Sequence, residues 1–186
     1  DVSSLTPEGR HRVAIHEAGH AICYGLTTAV PEDAYVCIDT DLNSLIVGSV
    51  TIPTPKDPTE VTKERLEWSM LMTMAGVAAE HHFFGEKSLS GSGDIASMSQ
   101  LATAYLSAGH GEVFDPSPTD ELGVAANRAA IGRLRDHYAG MAEVFIQQNH
   151  SLCEEMARLV EKDEFVDCSS IASIVGNVAL PEGWKR

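Results

Sequence analysis

The sequence has few aromatic residues, few basic residues and no long hydrophobic run. Phe, Trp and Tyr make up 6% of its 186 residues, so the core must be aliphatic and alanine-rich, which favours closely packed helices. Only 13 Lys and Arg stand against 27 Asp and Glu, and the resulting net charge of −14 argues against nucleic acid or an anionic membrane surface as a partner. No apolar stretch approaches the roughly 18 to 20 residues of a membrane span, and no signal-peptide pattern opens the chain. We therefore expect a soluble chain.

Cysteine is scarce and dispersed. Cys23, Cys37, Cys153 and Cys168 form no CxxC pair, which excludes a zinc ribbon and a compact disulfide framework. A reducing compartment suits such cysteines, so the predicted location is the cytoplasm. The length predicts one domain over residues 1–186. Because the sequence begins with Asp1 rather than Met, we also expect it to be a segment of a longer protein.

The run from His16 to His20 reads His-Glu-Ala-Gly-His, an HExxH motif. On a helix, two His four residues apart lie on the same face and can bind one zinc ion. Glu17 would then stand beside the attacking water and take its proton, the arrangement of a zinc hydrolase. The alternative is that His16 and His20 are core histidines with other polar partners.

The context of this motif is helical. Thr6, Pro7 and Glu8 are typical of a helix start, and an apolar stripe without proline predicts a helix as far as about Leu26. The rest of the sequence predicts a mainly α fold with a small β-hairpin after the first helix. The predicted strands are residues 34–39 and 45–52, joined by a turn at 40–44, and a proline-rich segment follows at 53–58. The remaining predicted helices are 59–84, 94 to about 107, 119–149, 151–162 and 169–175.

A catalytic zinc needs three protein ligands and one open position, so the motif is incomplete. A third His on the same helix is excluded, because the required Gly and His positions hold Cys23 and Leu26. The residues alone leave several candidates open, namely Glu80, His81, His82 and Asp94. Asp94 follows a glycine-containing segment whose glycines would permit unusual backbone angles and a close approach to a metal. A plain helix N-cap is the competing interpretation for Asp94.

Three blocks, in this order and spacing, resemble the peptidase domain of the FtsH family of ATP-dependent zinc metalloproteases. They are residues 12–21 around the motif, the run Met74-Ala75-Gly76-Val77-Ala78-Ala79-Glu80, and residues 84–95 with Ser90-Gly91-Ser92-Gly93-Asp94. The resemblance covers roughly residues 8–175. It implies a helical, zincin-like peptidase domain, with a metal-site part at 7–108 and a helical C-terminal part at 119–176.

The resemblance also implies roles for individual residues. His16, His20 and Asp94 would bind zinc, Glu17 would activate water, and Glu80 would support a zinc-binding histidine. The implied activity is zinc-dependent endopeptidase action on unfolded proteins or peptides. Family members are membrane-anchored hexamers that unfold substrates with ATP, so the resemblance implies a homo-oligomer and an ATPase module. No GxxxxGK[ST] phosphate loop occurs in these 186 residues. The sequence is therefore expected to be either the peptidase domain of a longer protein, with such a module outside these residues, or a stand-alone relative, monomeric or dimeric, that acts only on unfolded chains.

Two positions depart from the family pattern, since Val77 stands where Arg is usual and Gly93 where Asn is usual. Two other functions compete with a protease. One is a catalytically degenerate peptidase fold that serves as a binding or assembly module, against which the intact ligand set and base argue. The other is a zinc hydrolase that acts on small molecules.

Overall fold

A computed structural model describes residues 5–38, 48–50 and 57–185 of the chain. Its helices are α1 (Pro7–Ile22), α2 (Lys63–Phe84), α3 (Ser92–Ser107), α4 (Glu121–Gln148), α5 (His150–Asp163) and α6 (Cys168–Val175). Its strands are β1 (Tyr35–Ile38), β2 (Gly48–Val50) and β3 (Phe165–Asp167). The prediction of a mainly α fold with a small sheet is confirmed. Among the described helices, none is long and apolar enough to cross a membrane. The division into a single domain with two parts stays a prediction.

The sheet is antiparallel, with strand order β2-β1-β3. Strand β1 pairs with β2 through Val36 and Val50, which confirms the predicted hairpin, and with β3 through Val36 and Val166. Strand β3 was not predicted, because three residues between two helices carry no periodicity that can be detected. The predicted turn at 40–44, the outer parts of the second predicted strand and residues 53–56 lie outside the described residues.

Helix α1 lies at the centre of the fold, in contact with α2, α5 and β1. Its contact with α2 is close because small residues face each other there. A Cβ added at Gly19 would lie 2.5 Å from the Ala75 carbonyl oxygen and 2.8 Å from the Ala79 Cβ, so only glycine fits at this position. Alanine and glycine on both helices therefore set the distance between α1 and α2, and this distance determines the geometry of the site described below.

Two predicted helix ends are wrong. Helix α1 ends at Ile22 rather than near Leu26, and a 3₁₀ turn over Cys23–Leu26 follows. The chain tightens there because Gly25 packs against the end of α6, where an added Cβ would lie 2.6 Å from the Val175 carbonyl oxygen. Helix α2 begins at Lys63 rather than at residue 59, because the Thr62 hydroxyl caps it and accepts a hydrogen bond of 3.2 Å from the Arg65 N–H.

The glycine-containing segment before Asp94 also differs from expectation. A 3₁₀ turn at Leu89–Gly91 leads directly into α3, so Asp94 is the third residue of that helix and not its N-cap. Neither Gly91 nor Gly93 has a positive φ, which makes the predicted unusual backbone angles wrong. Gly91 is needed for close packing instead, because a Cβ there would lie 2.6 Å from Val77 Cγ2.

Candidate metal centre

One face of α2 lies along the two motif histidines. Residues 72, 76 and 80 are spaced by four and therefore form a line on one side of α2. Met72 lies next to His20, Glu80 lies next to His16, and Gly76 lies between them, so the two helices run antiparallel here. The two histidines, four residues apart on α1, thus lie beside groups that are also spaced by four residues on α2.

Each histidine ring is oriented by a hydrogen bond from its Nδ1 atom. His16 Nδ1 lies 2.7 Å from Glu80 Oε1, and His20 Nδ1 lies 2.7 Å from the Met72 carbonyl oxygen. A carbonyl oxygen only accepts, so His20 Nδ1 carries the proton, and the Glu80 carboxylate assigns the same tautomer to His16. When the rings are neutral, both Nε2 atoms are thereby left with lone pairs, and both residues line the cleft. Such partners are typical of metal-ligating histidines.

Asp94 brings a carboxylate to the same place from the first turn of α3. Its Oδ2 lies 3.0 Å from His16 Nε2, and its Oδ1 lies 3.6 Å from His20 Nε2. Ligand atoms of His16, His20 and Asp94 all lie within 4.8 Å of one another, and within the described parts of the chain no other set of three His, Cys, Asp or Glu residues has this property. The structure therefore brings together the three residues that the resemblance assigns to zinc.

The two Nε2 atoms lie within hydrogen-bond distance, but their rings do not meet head-on. They lie 3.1 Å apart, while the ring centroids are only 4.7 Å apart. His82 and His150 provide a contrast, because their nitrogens lie 2.9 Å apart but their centroids 5.2 Å apart, as in a head-on hydrogen bond. In the motif pair the shorter centroid distance means that the ring axes are bent away from the line between the nitrogens. That geometry suits one cation bound by two imidazoles.

Gly76 leaves open the space beside these nitrogens. A Cβ added there would collide with His20 Nε2 and would lie 2.9 Å from His16 Nε2. Two neutral imidazole nitrogens and one carboxylate oxygen match the ligand types of a catalytic zinc site with three protein ligands. The donor set, the convergence of the lone pairs and the missing side chain at position 76 all fit a bound zinc ion.

The charges around the histidines favour a cation. Burial by itself lowers the pKa of His16, but hydrogen bonds to Asp94 and Glu80 outweigh it and raise that pKa to about 10. Burial by itself raises the pKa of the Asp94 carboxyl, yet its contacts with the two imidazoles hold it well below its usual range. Glu80 behaves in the same way, since hydrogen bonds from His16 and from residues 88 and 90 lower its pKa to about 2 despite its burial. Surroundings that hold a proton on His16 this firmly would also hold a dication.

Glu17 lies in the same cleft, which has a volume of about 200 Å³. Burial raises the pKa of its carboxyl, although the neighbouring His20 and His16 oppose the shift. Strand β2 lines the same cleft through Gly48, Ser49 and Val50. Gly48 is pressed against Glu17, because a Cβ there would lie 2.6 Å from Glu17 Oε1. A carboxyl that is a better proton acceptor than usual thus stands beside the convergent ligand set.

The other sequence candidates lie elsewhere. His81 Nδ1 is 3.4 Å from Glu143 Oε1, and His82 contacts His150, so both are surface residues near the end of α2. Glu80 does not face the cation position but binds the far side of His16, as the resemblance implies. Two residues differ from the family pattern: Val77 is buried against Gly91, and Gly93 faces open space.

Sequence reasoning missed several groups that shape the site. They are the Met72 carbonyl, the Arg12 guanidinium, the Ser88 N–H, the Ser90 hydroxyl and the Gly48 backbone. Ser90 lies inside a block that was recognised, yet nothing local to it indicates a partner ten residues earlier. Arg12 and Gly48 lie far from their partners in the sequence and carry no local signal.

The helical fold and the candidate metal centre together are those of a metallopeptidase. A model of peptidase family M41 matches residues 3–113, more than half of the chain, and the chain belongs to that family. It is 34% identical over 104 residues to the ATP-dependent zinc metalloprotease FtsH 2 of Symbiobacterium thermophilum, which covers 55% of this chain and 17% of that protein. It is 26% identical to the ATP-dependent zinc metalloprotease FtsH of Acidothermus cellulolyticus, which covers 100% of this chain and 31% of that protein.

A eukaryotic relative shows the same partial overlap. The mitochondrial inner membrane m-AAA protease component of Schizosaccharomyces pombe is 35% identical over 104 residues, which is 55% of this chain and 13% of that protein. The chain therefore spans no more than about a third of the relatives it matches here.

Proposed function

We propose that this chain is a zinc-dependent metalloendopeptidase that hydrolyses peptide bonds of unfolded proteins or peptides. The observation that carries the proposal is the convergence of His16 Nε2, His20 Nε2 and the Asp94 carboxylate in the cleft that also contains Glu17. Zinc is the proposed metal because the donor set fits it and because the relatives are named zinc metalloproteases.

In this proposal His16, His20 and Asp94 hold the metal. When bound, zinc would supply a Lewis acid that polarises the scissile carbonyl and makes water more acidic. Met72 and Glu80 hold the proton of each neutral imidazole on Nδ1, so Nε2 is the nitrogen that binds a cation once His16 has released its second proton. Gly76 keeps this position free of side-chain atoms.

Glu17 is the proposed general base and acid. It takes a proton from the attacking water while the water oxygen forms a bond to the carbonyl carbon. It then gives this proton to the leaving nitrogen as the C–N bond breaks, so that a carboxylic acid and an amine are released. Its buried position supports the role, because burial raises the pKa of the carboxyl and makes it a stronger proton acceptor.

Strand β2 is the proposed docking edge for the substrate. Among the described strands it is an outer one, in the order β2-β1-β3, and it lines the cleft next to Glu17. An extended chain could add to this edge through backbone hydrogen bonds, which place a peptide bond near Glu17 without selecting a sequence. A cleft of about 200 Å³ is too small for a folded segment.

Delivery of the substrate is the remaining part of the proposal. The relatives are named ATP-dependent, and the aligned part is no more than about a third of their length. These 186 residues contain no GxxxxGK[ST] loop. We therefore assign unfolding to an ATPase module outside them and expect cleavage without ATP of chains that are already unfolded.

The test is Glu17→Gln, assayed on casein with the zinc content measured in parallel. Loss of the base should lower kcat/KM by about 10²- to 10⁴-fold while one zinc per chain remains. Glu8→Gln is the matched control, because it makes the same change at an exposed position on the same helix and should leave activity unaltered. Equal cleavage by the Glu17→Gln variant would refute the proposed mechanism. A wild-type chain that takes up no zinc would instead favour the binding or assembly module.

A further inference from the structure

Glu80 has more partners than one histidine requires. Its side chain is only 1% exposed, and it accepts hydrogen bonds at both carboxylate oxygens. Oε1 is 2.7 Å from His16 Nδ1 and 2.8 Å from Ser90 Oγ, and Oε2 is 2.9 Å from the Ser88 N–H. Arg12 Nη1 lies 3.5 Å from Oε2 and supplies a positive charge. A buried carboxylate with this many donors is held in one position.

Two of these donors belong to the segment that leads into Asp94. Ser88 and Ser90 stand six and four residues before Asp94. Ser88 caps the 3₁₀ turn at Leu89–Gly91, Ser90 lies within it, and the turn joins α3 without an intervening loop. The hydroxyls form a chain, in which Ser90 donates to Glu80 and Ser88 can donate to Ser90 across 2.5 Å. One residue later, Gly91 packs on Val77 of α2. The segment is thus attached to α2 at two successive points.

His16 and Asp94 therefore share one anchor. His16 lies on α1 and Asp94 on α3, and the two elements reach the metal position from different directions. The carboxylate that orients the His16 ring is also the acceptor for the segment that carries Asp94. A shift of the Ser90 segment would move Asp94 away from His16, whose Nε2 is 3.0 Å from Asp94 Oδ2.

We propose that Ser90 is a positioning residue for the third ligand, because its hydroxyl ties the Asp94 segment to the carboxylate that orients His16. The inference rests on the proposed function and adds a residue to it. Ser90 lines the same cleft but is not one of the three proposed ligands, and in this role it acts through Glu80. Loss of the hydroxyl should therefore alter zinc binding more than it alters folding.

The experiment measures zinc affinity by chelator competition and the visible spectrum of the cobalt-substituted chain, for three variants of the 186-residue protein. Ser90→Ala should weaken zinc binding about tenfold and change the cobalt spectrum. Removing a residue that hydrogen-bonds a metal ligand typically lowers metal affinity 10- to 100-fold. We expect the lower value here because the Ser88 N–H still binds Glu80. Ser90→Thr keeps a hydroxyl at this exposed position and should restore both readouts. Ser92→Ala is the matched control, an exposed serine in the same segment, and should behave as wild type.

A double-mutant cycle with Glu80→Gln tests whether Ser90 acts through Glu80. In the Glu80→Gln background, Ser90→Ala should add little further loss of zinc affinity, because the shared anchor is already weakened. A full additional tenfold loss in that background would overturn the inference. So would a Ser90→Ala variant whose affinity and cobalt spectrum match those of Ser92→Ala. If the wild-type chain binds no zinc, the proposed function itself fails. If the wild-type chain binds zinc and Ser90→Ala binds it equally well, only the inference on Ser90 fails.

Discussion

Replacing Gly76 by Ala should separate the metal site from the fold. An added Cβ would collide with His20 Nε2 and would lie 2.6 Å from His20 Cε1 and 2.9 Å from His16 Nε2. The His20 ring has little freedom to retreat, because it is 7% exposed and its Nδ1 is bound to the Met72 carbonyl at 2.7 Å. The side chain that must yield is therefore a proposed ligand.

Two opposing effects set the change in the free energy of unfolding of the Gly76→Ala variant. Alanine is favoured over glycine inside a helix by about 1 kcal/mol. Overpacking of a tight interior costs about 1 to 3 kcal/mol. The free energy of unfolding should therefore fall by no more than about 2 kcal/mol, so the chain remains folded. Zinc affinity should fall much further, by roughly 100-fold, because displacing a ligand ring costs at least as much as removing its outer partner.

The assay is chelator competition for zinc, combined with urea unfolding of the zinc-free chain. Gly132→Ala and Gly140→Ala are matched controls in the interior of α4, where an added Cβ meets nothing within 4 Å. Both controls should raise the free energy of unfolding by about 0.5 to 1 kcal/mol and leave zinc affinity unchanged. The reasoning is refuted if Gly76→Ala binds zinc as tightly as the two controls do.

Two further predictions concern the cleft wall and the C-terminal half. Gly48→Ala places a Cβ 2.6 Å from Glu17 Oε1, so it should lower kcat about 10- to 100-fold by displacing the base while zinc affinity stays the same, and casein cleavage with zinc analysis checks this. Full activity would contradict it. Asn149→Ala removes a side chain that is 3% exposed and bonded to backbone groups of residues 145 and 179, so urea unfolding should show a loss of about 2 to 4 kcal/mol. Asn177→Ala, at an exposed position, is the control, and an equal loss there would contradict the prediction.

Much of the local structure could be predicted from the sequence. The α1 start was visible in Thr6 and Pro7, and the Thr6 hydroxyl does accept a hydrogen bond of 3.1 Å from the Gly9 N–H. Helix periodicity and capping are encoded within a few residues, so helices were predicted where they occur, with errors at their ends. Those errors arose where distant residues act on the chain, as when Val175 packs on Gly25 and tightens the end of α1.

The candidate site divides in the same way. The motif spacing by itself placed His16 and His20 on one helical face with Glu17 between them. It left the third ligand open among Glu80, His81, His82 and Asp94, and the family resemblance, rather than any local signal, selected Asp94. In the structure Asp94 reaches the histidines from a third helix, while Glu80 binds the far side of His16.

The sequence by itself determined where the helices of this protein lie and that two histidines share a face, because both depend on the geometry of one helix. Only the tertiary structure decided which groups meet them. The Met72 carbonyl, Gly76 and Glu80 match the histidines because small residues allow α1 and α2 to approach closely and antiparallel. The link from Ser90 to Glu80 likewise exists only after α3 is placed against α2. Such contacts depend on the packing of whole helices, and no local spacing in the chain records them.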